Sequence, residues 1–178
     1  MKALKMVGII IGVMVIILMI VIAMQPSEAH LQKSIVINAP PSSIFPEVSN
    51  FRKFSEWEPW SKTDPDVKQT FEGTDGTVGS KMSWDGPKIG SGSQWIEEID
   101  ENKRVKCGMS FGGSDGKYYS EFILDPEGNG TKVTWSYGGP NSGIAGKAMW
   151  VILGPMLAGQ YDEGLKDLKT RIEGKGSE

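Results

Sequence analysis

From residue 6 to residue 24 the chain runs nineteen residues without a charge or a strongly polar side chain, directly behind Lys2 and Lys5. No other segment restricts the fold as severely, because so apolar a run must be taken out of water by a bilayer or by other protein. As a helix it would rise about 1.5 Å per residue, roughly 28 Å in all, against a hydrocarbon core of about 30 Å. The reading is a short basic terminus over 1–5, one transmembrane anchor over 6–24 and a linker over 25–30. The rival is a cleaved signal peptide, for which Ser27-Glu28-Ala29 offers a loose small-x-small site. The apolar part of such a leader is only about 7 to 15 residues long. The basic flank keeps the terminus cytoplasmic and sends the rest of the chain to the outer side, periplasmic or extracellular. Gly8 and Gly12 form a GxxxG pair through which two spans could dimerise weakly, although glycine is common in membrane helices.

Beyond the span about 150 residues follow, the size of one domain with a single core. They carry 17 basic and 22 acidic residues, a formal charge of −5. With no basic patch to neutralise phosphates, nucleic acid is excluded as a partner, and any lipid must be recognised by apolar contact. Cys107 is the only cysteine and His30 the only histidine, so disulfide frameworks, zinc clusters and histidine-based triads fall together, and no metal or cofactor is expected. Val105, Cys107, Met109 and Phe111 share one face of a strand, which makes the thiol a buried, inert one. Asn129-Gly130-Thr131 is a glycosylation sequon, but Pro126 to Gly130 reads better as a turn.

Residues 31–38 alternate as a first strand, and 41–48 form a short helix begun by Pro41, with Ile44 and Val48 on its inner face. Phe51, Phe54, Trp57 and Trp60 recur every three residues, a helical stripe that Pro59 breaks. From residue 68 to 138 the period becomes two, with turn residues every 8 to 12 positions, and six strands are expected at 69–73, 81–85, 92–100, 104–111, 117–125 and 131–137. Met82 and Trp84 oppose Lys81 and Ser83, while Val133, Trp135 and Tyr137 oppose Lys132, Thr134 and Ser136, so one face is apolar and the other wet. A long helix over 144–173 closes the chain, followed by a tail over 174–178. Its second half is amphipathic, with Tyr161, Leu165, Leu168 and Ile172 on one side, whereas the run over 148–158 in its first half is apolar all round and, at about eleven residues, too short to span a bilayer. Gly154-Pro155 interrupts it, giving a fixed bend or a hinge.

This order of elements, with the segments Asn50-Phe51-Arg52-Lys53-Phe54-Ser55-Glu56-Trp57-Glu58-Pro59-Trp60, Val78-Gly79-Ser80-Lys81-Met82-Ser83-Trp84, Gly90-Ser91-Gly92, Glu101-Asn102-Lys103-Arg104-Val105 and Gly130-Thr131-Lys132-Val133-Thr134-Trp135, resembles the polyketide cyclase/dehydrase and lipid-transport group of the START/Bet v 1-like (SRPBCC) superfamily. The resemblance covers 31–173. It implies an α+β helix-grip fold, a curved antiparallel sheet of about seven strands wrapped around the long C-terminal helix, with a cavity between them. Carried onto this chain, the lining would include Phe71, Met82, Trp84, Gln94, Ile96, Glu98, Met109, Phe122, Trp135, Met149, Trp150, Leu153 and Met156. Any one apolar name on that roster is more often plain core than ligand contact. Gln94 and Glu98 inside an apolar cavity would each require a polar partner; if that strand faces the other way, Trp95 and Ile99 are the core residues instead.

Three functions follow in order of support. The first is a membrane-tethered binding domain for a hydrophobic small molecule or lipid. The second is a non-catalytic module docking to an envelope protein. The third is a cyclase or dehydratase in which Glu98 or Tyr118 transfers protons, although the sequence places no acid and base at diagnostic spacing.

Overall fold

The computed structural model describes residues 2–113 and 117–175. Helix α1 (Lys2–Met24) is followed by strand β1 (Glu28–Ile37), helices α2 (Pro41–Ser49), α3 (Phe51–Phe54) and α4 (Trp60–Thr63), then β2 (Lys68–Glu72), β3 (Lys81–Gly86), β4 (Gly90–Asp100), β5 (Arg104–Phe111), β6 (Tyr118–Glu127), β7 (Gly130–Pro140) and α5 (Gly143–Lys175). All six strands expected between residues 68 and 138 are present, shifted by a few residues at most. The aromatic stripe does not form one helix. Asn50 caps α3 by accepting from the Arg52 and Lys53 N–H groups, α3 ends at Phe54, and α4 starts afresh after Pro59. Conversely, α5 runs unbroken through Pro155 and reaches Lys175, so its helix takes in the start of the expected tail, whose residues 176–178 lie outside the described residues.

The sheet is antiparallel throughout, in the order β1-β7-β6-β5-β4-β3-β2, so the first and last strands pair and the three short helices cross from one edge of the sheet to the other. On β4 a bulge lies between Ile96 and Glu98. One extra residue shifts the alternation, so Gln94 and Ile96 point inward before it and Ile99 after it, while Glu97 and Glu98 are both exposed. Neither of the two uniform readings of this strand therefore holds along its whole length.

The core centres on Trp135, 1% exposed, which stacks on Phe122 at 4.9 Å and on Tyr161 of α5 at 3.9 Å. Phe54, Trp57 and Trp60 meet the same ring edge-on at 5.8, 5.6 and 5.7 Å. The indole N–H groups are all satisfied: Trp135 donates to Ser120 Oγ, Trp57 to the Glu47 carbonyl and Trp60 to Gln160 Oε1. Gly164 lets α5 come this close, since a Cβ there would lie 2.9 Å from the Trp135 ring. The second half of α5 buries Tyr161, Leu165, Leu168 and Ile172, as its amphipathic pattern implies. Polar contacts hold its outer side: Arg171 pairs with the buried Glu47 of α2 at 2.7 Å, Lys33 of β1 with Asp162, and Lys169 donates to the Val36 carbonyl on the free edge of β1.

Helix α1 stands apart. Residues 4–24 form a helix long and apolar enough to cross a membrane, and of its described side chains only Ile22 is buried. A Cβ at Gly8 or Gly12 would meet open space. All seven strands and α5 lie downstream of α1, so the domain has its own core. Trp135→Ala removes the ring that five others touch and is expected to lower the unfolding free energy of that domain by about 3–5 kcal/mol in denaturant titration; a loss below about 1 kcal/mol would place the ring outside the core.

Candidate functional site

Between the concave face of the sheet and the first half of α5 lies a cavity of about 630 Å³. Its floor follows from strand register: Phe71, Met82, Gln94, Met109 and Tyr118 pair successively across β2 to β6 and form one inward row. Of these, Met82, Gln94, Met109 and Tyr118 reach the cavity, whereas Phe71 lies beyond its end under the Arg52 guanidinium, 4.7 Å from the ring centroid. Trp84 lies flat across Gly92, where a Cβ would come within 2.3 Å of the indole. Tyr137 stacks between Tyr118 at 6.1 Å and Trp150 of α5 at 5.9 Å, which carries the apolar wall from sheet to helix.

One end is closed by the aromatic cluster and by a small polar network. Glu58 is 3% exposed, and its carboxylate accepts from the Trp60 and Ser61 N–H groups, from Ser61 Oγ and from Gln69 Nε2 at 3.1 Å. The geometry is that of a cap on α4, with four neutral donors around one negative charge. The mouth lies where Met149, Leu153 and Met156 of α5 line the cavity and are also 59%, 38% and 53% exposed. Ile144 and Ile152 extend this exposed apolar face. It begins where α1 ends: Asn141 holds the linker by donating to the Pro26 and Ser27 carbonyls, and Lys147 reaches the Ala23 carbonyl.

Of the side chains expected at the cavity, Met82, Trp84, Gln94, Met109, Trp135, Met149, Trp150, Leu153 and Met156 line it together. Phe71, Ile96 and Phe122 pack into the surrounding core instead. Glu98 is a correction. The bulge turns it to the outer face, where it pairs with Arg104 at 2.8 Å and Lys106 at 3.1 Å, and those hydrogen bonds, Lys106 first, hold its carboxyl below the usual range. It cannot serve as a cavity acid. The sequence did not single out Glu58, Gln69, Gln160, Tyr137 or Tyr161 as lining, since they come from three separate elements and the turn before α4 and converge only when α5 folds back.

Burial, with a smaller contribution from Tyr118, pushes the Tyr137 phenol well above its usual range, and burial does the same to Tyr161. Burial, followed by the negative charge of Glu97, pushes the Cys107 thiol up to about 12, so it is a neutral core group as its strand pattern implied. Among the described residues no cluster of three His, Cys, Asp or Glu side chains is disposed to hold a metal ion.

A family model described as polyketide cyclase/dehydrase and lipid transport matches residues 28–173. Similar solved structures include the Aha1 dimer from Colwellia psychrerythraea, at 16% identity over 82% of this chain and 96% of that one, with a TM-score of 0.61. The KanY protein is similar at 15% identity over 83% and 99%, with a TM-score of 0.62, and the protein CV1439 from Chromobacterium violaceum at 17% over 84% and 99%, with a TM-score of 0.57. At these identities the likeness is one of fold. Among curated proteins no relative matches the sequence.

Two outcomes are expected from this geometry. Cys107 should stay unreactive toward a disulfide reagent at pH 8 in the native protein and react fully in guanidinium; fast native labelling would contradict its burial. Glu98→Gln should leave uptake of apolar fluorescent probes unchanged, because the carboxyl faces water on the other side of the sheet, and reduced uptake would return it to the cavity.

Proposed function

The chain belongs to the polyketide cyclase/dehydrase and lipid transport family, and from that premise we propose that it is a membrane-tethered binding domain for a hydrophobic small molecule or lipid, held between the sheet and the first half of α5. The observation that carries this reading is the cavity itself: about 630 Å³, walled mainly by Met, Trp, Tyr and Leu side chains that adapt to apolar guests. The helix over 4–24, about 32 Å long at 1.5 Å per residue, supplies the tether. Cleavage after Ala29 would cut the first two residues from β1, including Ala29 itself, which is 4% exposed and paired with Gly139. That favours a retained anchor. Lys2 and Lys5 set the terminus in the cytoplasm and the domain outside.

Between Met24 and Glu28 the chain spans at most about 14 Å, so the domain sits against the membrane surface with its cavity mouth beside the anchor. A ligand drawn from the outer leaflet would cross little water. One observation favours a second reading, docking to an envelope protein: the exposed row Ile144, Met149, Ile152 and Met156 could be covered by a partner as well as by lipid. A catalytic role loses its acid with Glu98 turned outward, and Tyr118 alone supplies no acid and base pair.

Native mass spectrometry of residues 25–178, secreted and purified without detergent, separates these readings. A retained apolar adduct is expected and would name the ligand class. A clean apo mass with no uptake of apolar probes would reject binding and leave docking.

A further inference from the structure

Gln94 is the one side-chain amide on the cavity wall, among the described residues, that is both buried and without a partner. It is 6% exposed, and its side-chain amide makes no hydrogen bond to any described residue. Its neighbours across the strands are Met82 and Met109, whose thioethers are at best weak acceptors and offer no donor. Most other buried polar groups are already engaged: Ser120 Oγ accepts from Trp135, Gln160 Oε1 from Trp60, and Glu58 from its cap donors, while the Tyr137 ring, whose hydroxyl makes no hydrogen bond to a described residue, is packed between Tyr118 and Trp150. A buried amide without a partner is unfavourable, and an apolar side chain of the same size would fit this row without that penalty. The sequence thus places an unpaired amide, donor and acceptor together, in the middle of the inward row of the sheet.

We propose that Gln94 is the recognition group of the cavity, and that the ligand is a neutral apolar molecule carrying a hydroxyl or carbonyl group that meets the amide. The inference rests on the reading of the cavity as a binding site and narrows what that site takes. An amide donates and accepts together, which a hydroxyl answers in full and a carbonyl in part. Charge selects the neutral form. Glu58 brings a negative charge to the same cavity, and among the described residues the one cation on the wall, Lys88, is exposed at its rim and donates to the Thr63 carbonyl. A carboxylate or phosphate would lose its hydration without gaining a buried positive partner.

The test uses residues 25–178, which hold all seven strands, α5 and their common core, and three probes sharing one ring: 1-butylpyrene, 1-pyrenebutanol and 1-pyrenebutyric acid. Energy transfer from the tryptophans lining the cavity to pyrene reads binding. The wild-type domain should bind the alcohol at least tenfold tighter than the hydrocarbon, and the acid more weakly than the alcohol. In Gln94→Leu the preference of alcohol over hydrocarbon should fall to near one, with the hydrocarbon bound as well as before and the melting temperature unchanged or raised. Gln94→Met, which repeats its two neighbours, should behave the same way. Equal wild-type affinity for alcohol and hydrocarbon, an unchanged preference in either variant, or tighter binding of the acid would overturn the proposal while leaving a binding cavity. Failure of both variants to fold would assign Gln94 a structural role and also overturn it. No transfer to any probe in the wild type would instead reject the binding reading itself.

Discussion

Trp135 is the contact on which the rest of the molecule is arranged. It is the one ring touched by the sheet through Phe122, by the crossing helices through Phe54, Trp57 and Trp60, and by the closing helix through Tyr161. Those three bodies are far apart in sequence, and each buries little apolar surface alone. Their meeting point fixes where α5 lands, because Gly164 can approach the indole only where no side chain intervenes. Satisfied indole N–H groups give the cluster a single geometry rather than a loose apolar collapse.

Everything on one side of that cluster is solid core, and everything on the other is cavity. Beyond Tyr161 toward its carboxyl end, α5 drives Leu165, Leu168 and Ile172 into the sheet. Toward its amino end the same helix stands off, and Trp150, Leu153 and Met156 become a wall with space beneath it. The apolar run over 148–158 in the first half of the helix is thereby explained on two counts: one side faces the cavity, and the other continues the exposed face that begins where α1 ends. Among the described residues, ion pairs such as Arg171 with Glu47 and Lys33 with Asp162 sit only on the packed half, so the half that roofs the cavity is held mainly by its ends and by apolar contact.

The bulge on β4 decides which polar groups belong to the site. Without it, strict alternation would carry Gln94, Ile96 and Glu98 to one face; with it, Gln94 and Ile96 stay inside and Glu98 joins Arg104 and Lys106 in water. A single inserted residue separates a neutral amide in the cavity from a carboxylate outside it.

The antiparallel sheet, its strand limits and the amphipathic half of α5 were legible in the sequence, because period-two alternation and helical spacing are local signals set by side-chain geometry. So was the apolar helix at the start, where length alone meets the thickness of a bilayer. Nine of the expected wall residues could be named because they occupy inward positions of well-patterned strands or the apolar half of α5. The bulge at Glu97, the division of the aromatic stripe into two short helices and the convergence of Glu58, Gln69 and Gln160 could not be read from the sequence. Each depends on a balance between residues distant along the chain: ladder hydrogen bonds against curvature, ring packing against helix continuity, and the landing of α5 on Trp135. The sequence by itself determined the elements and which of their faces are apolar; only the tertiary structure decided where those faces meet fully and where they leave room for a guest.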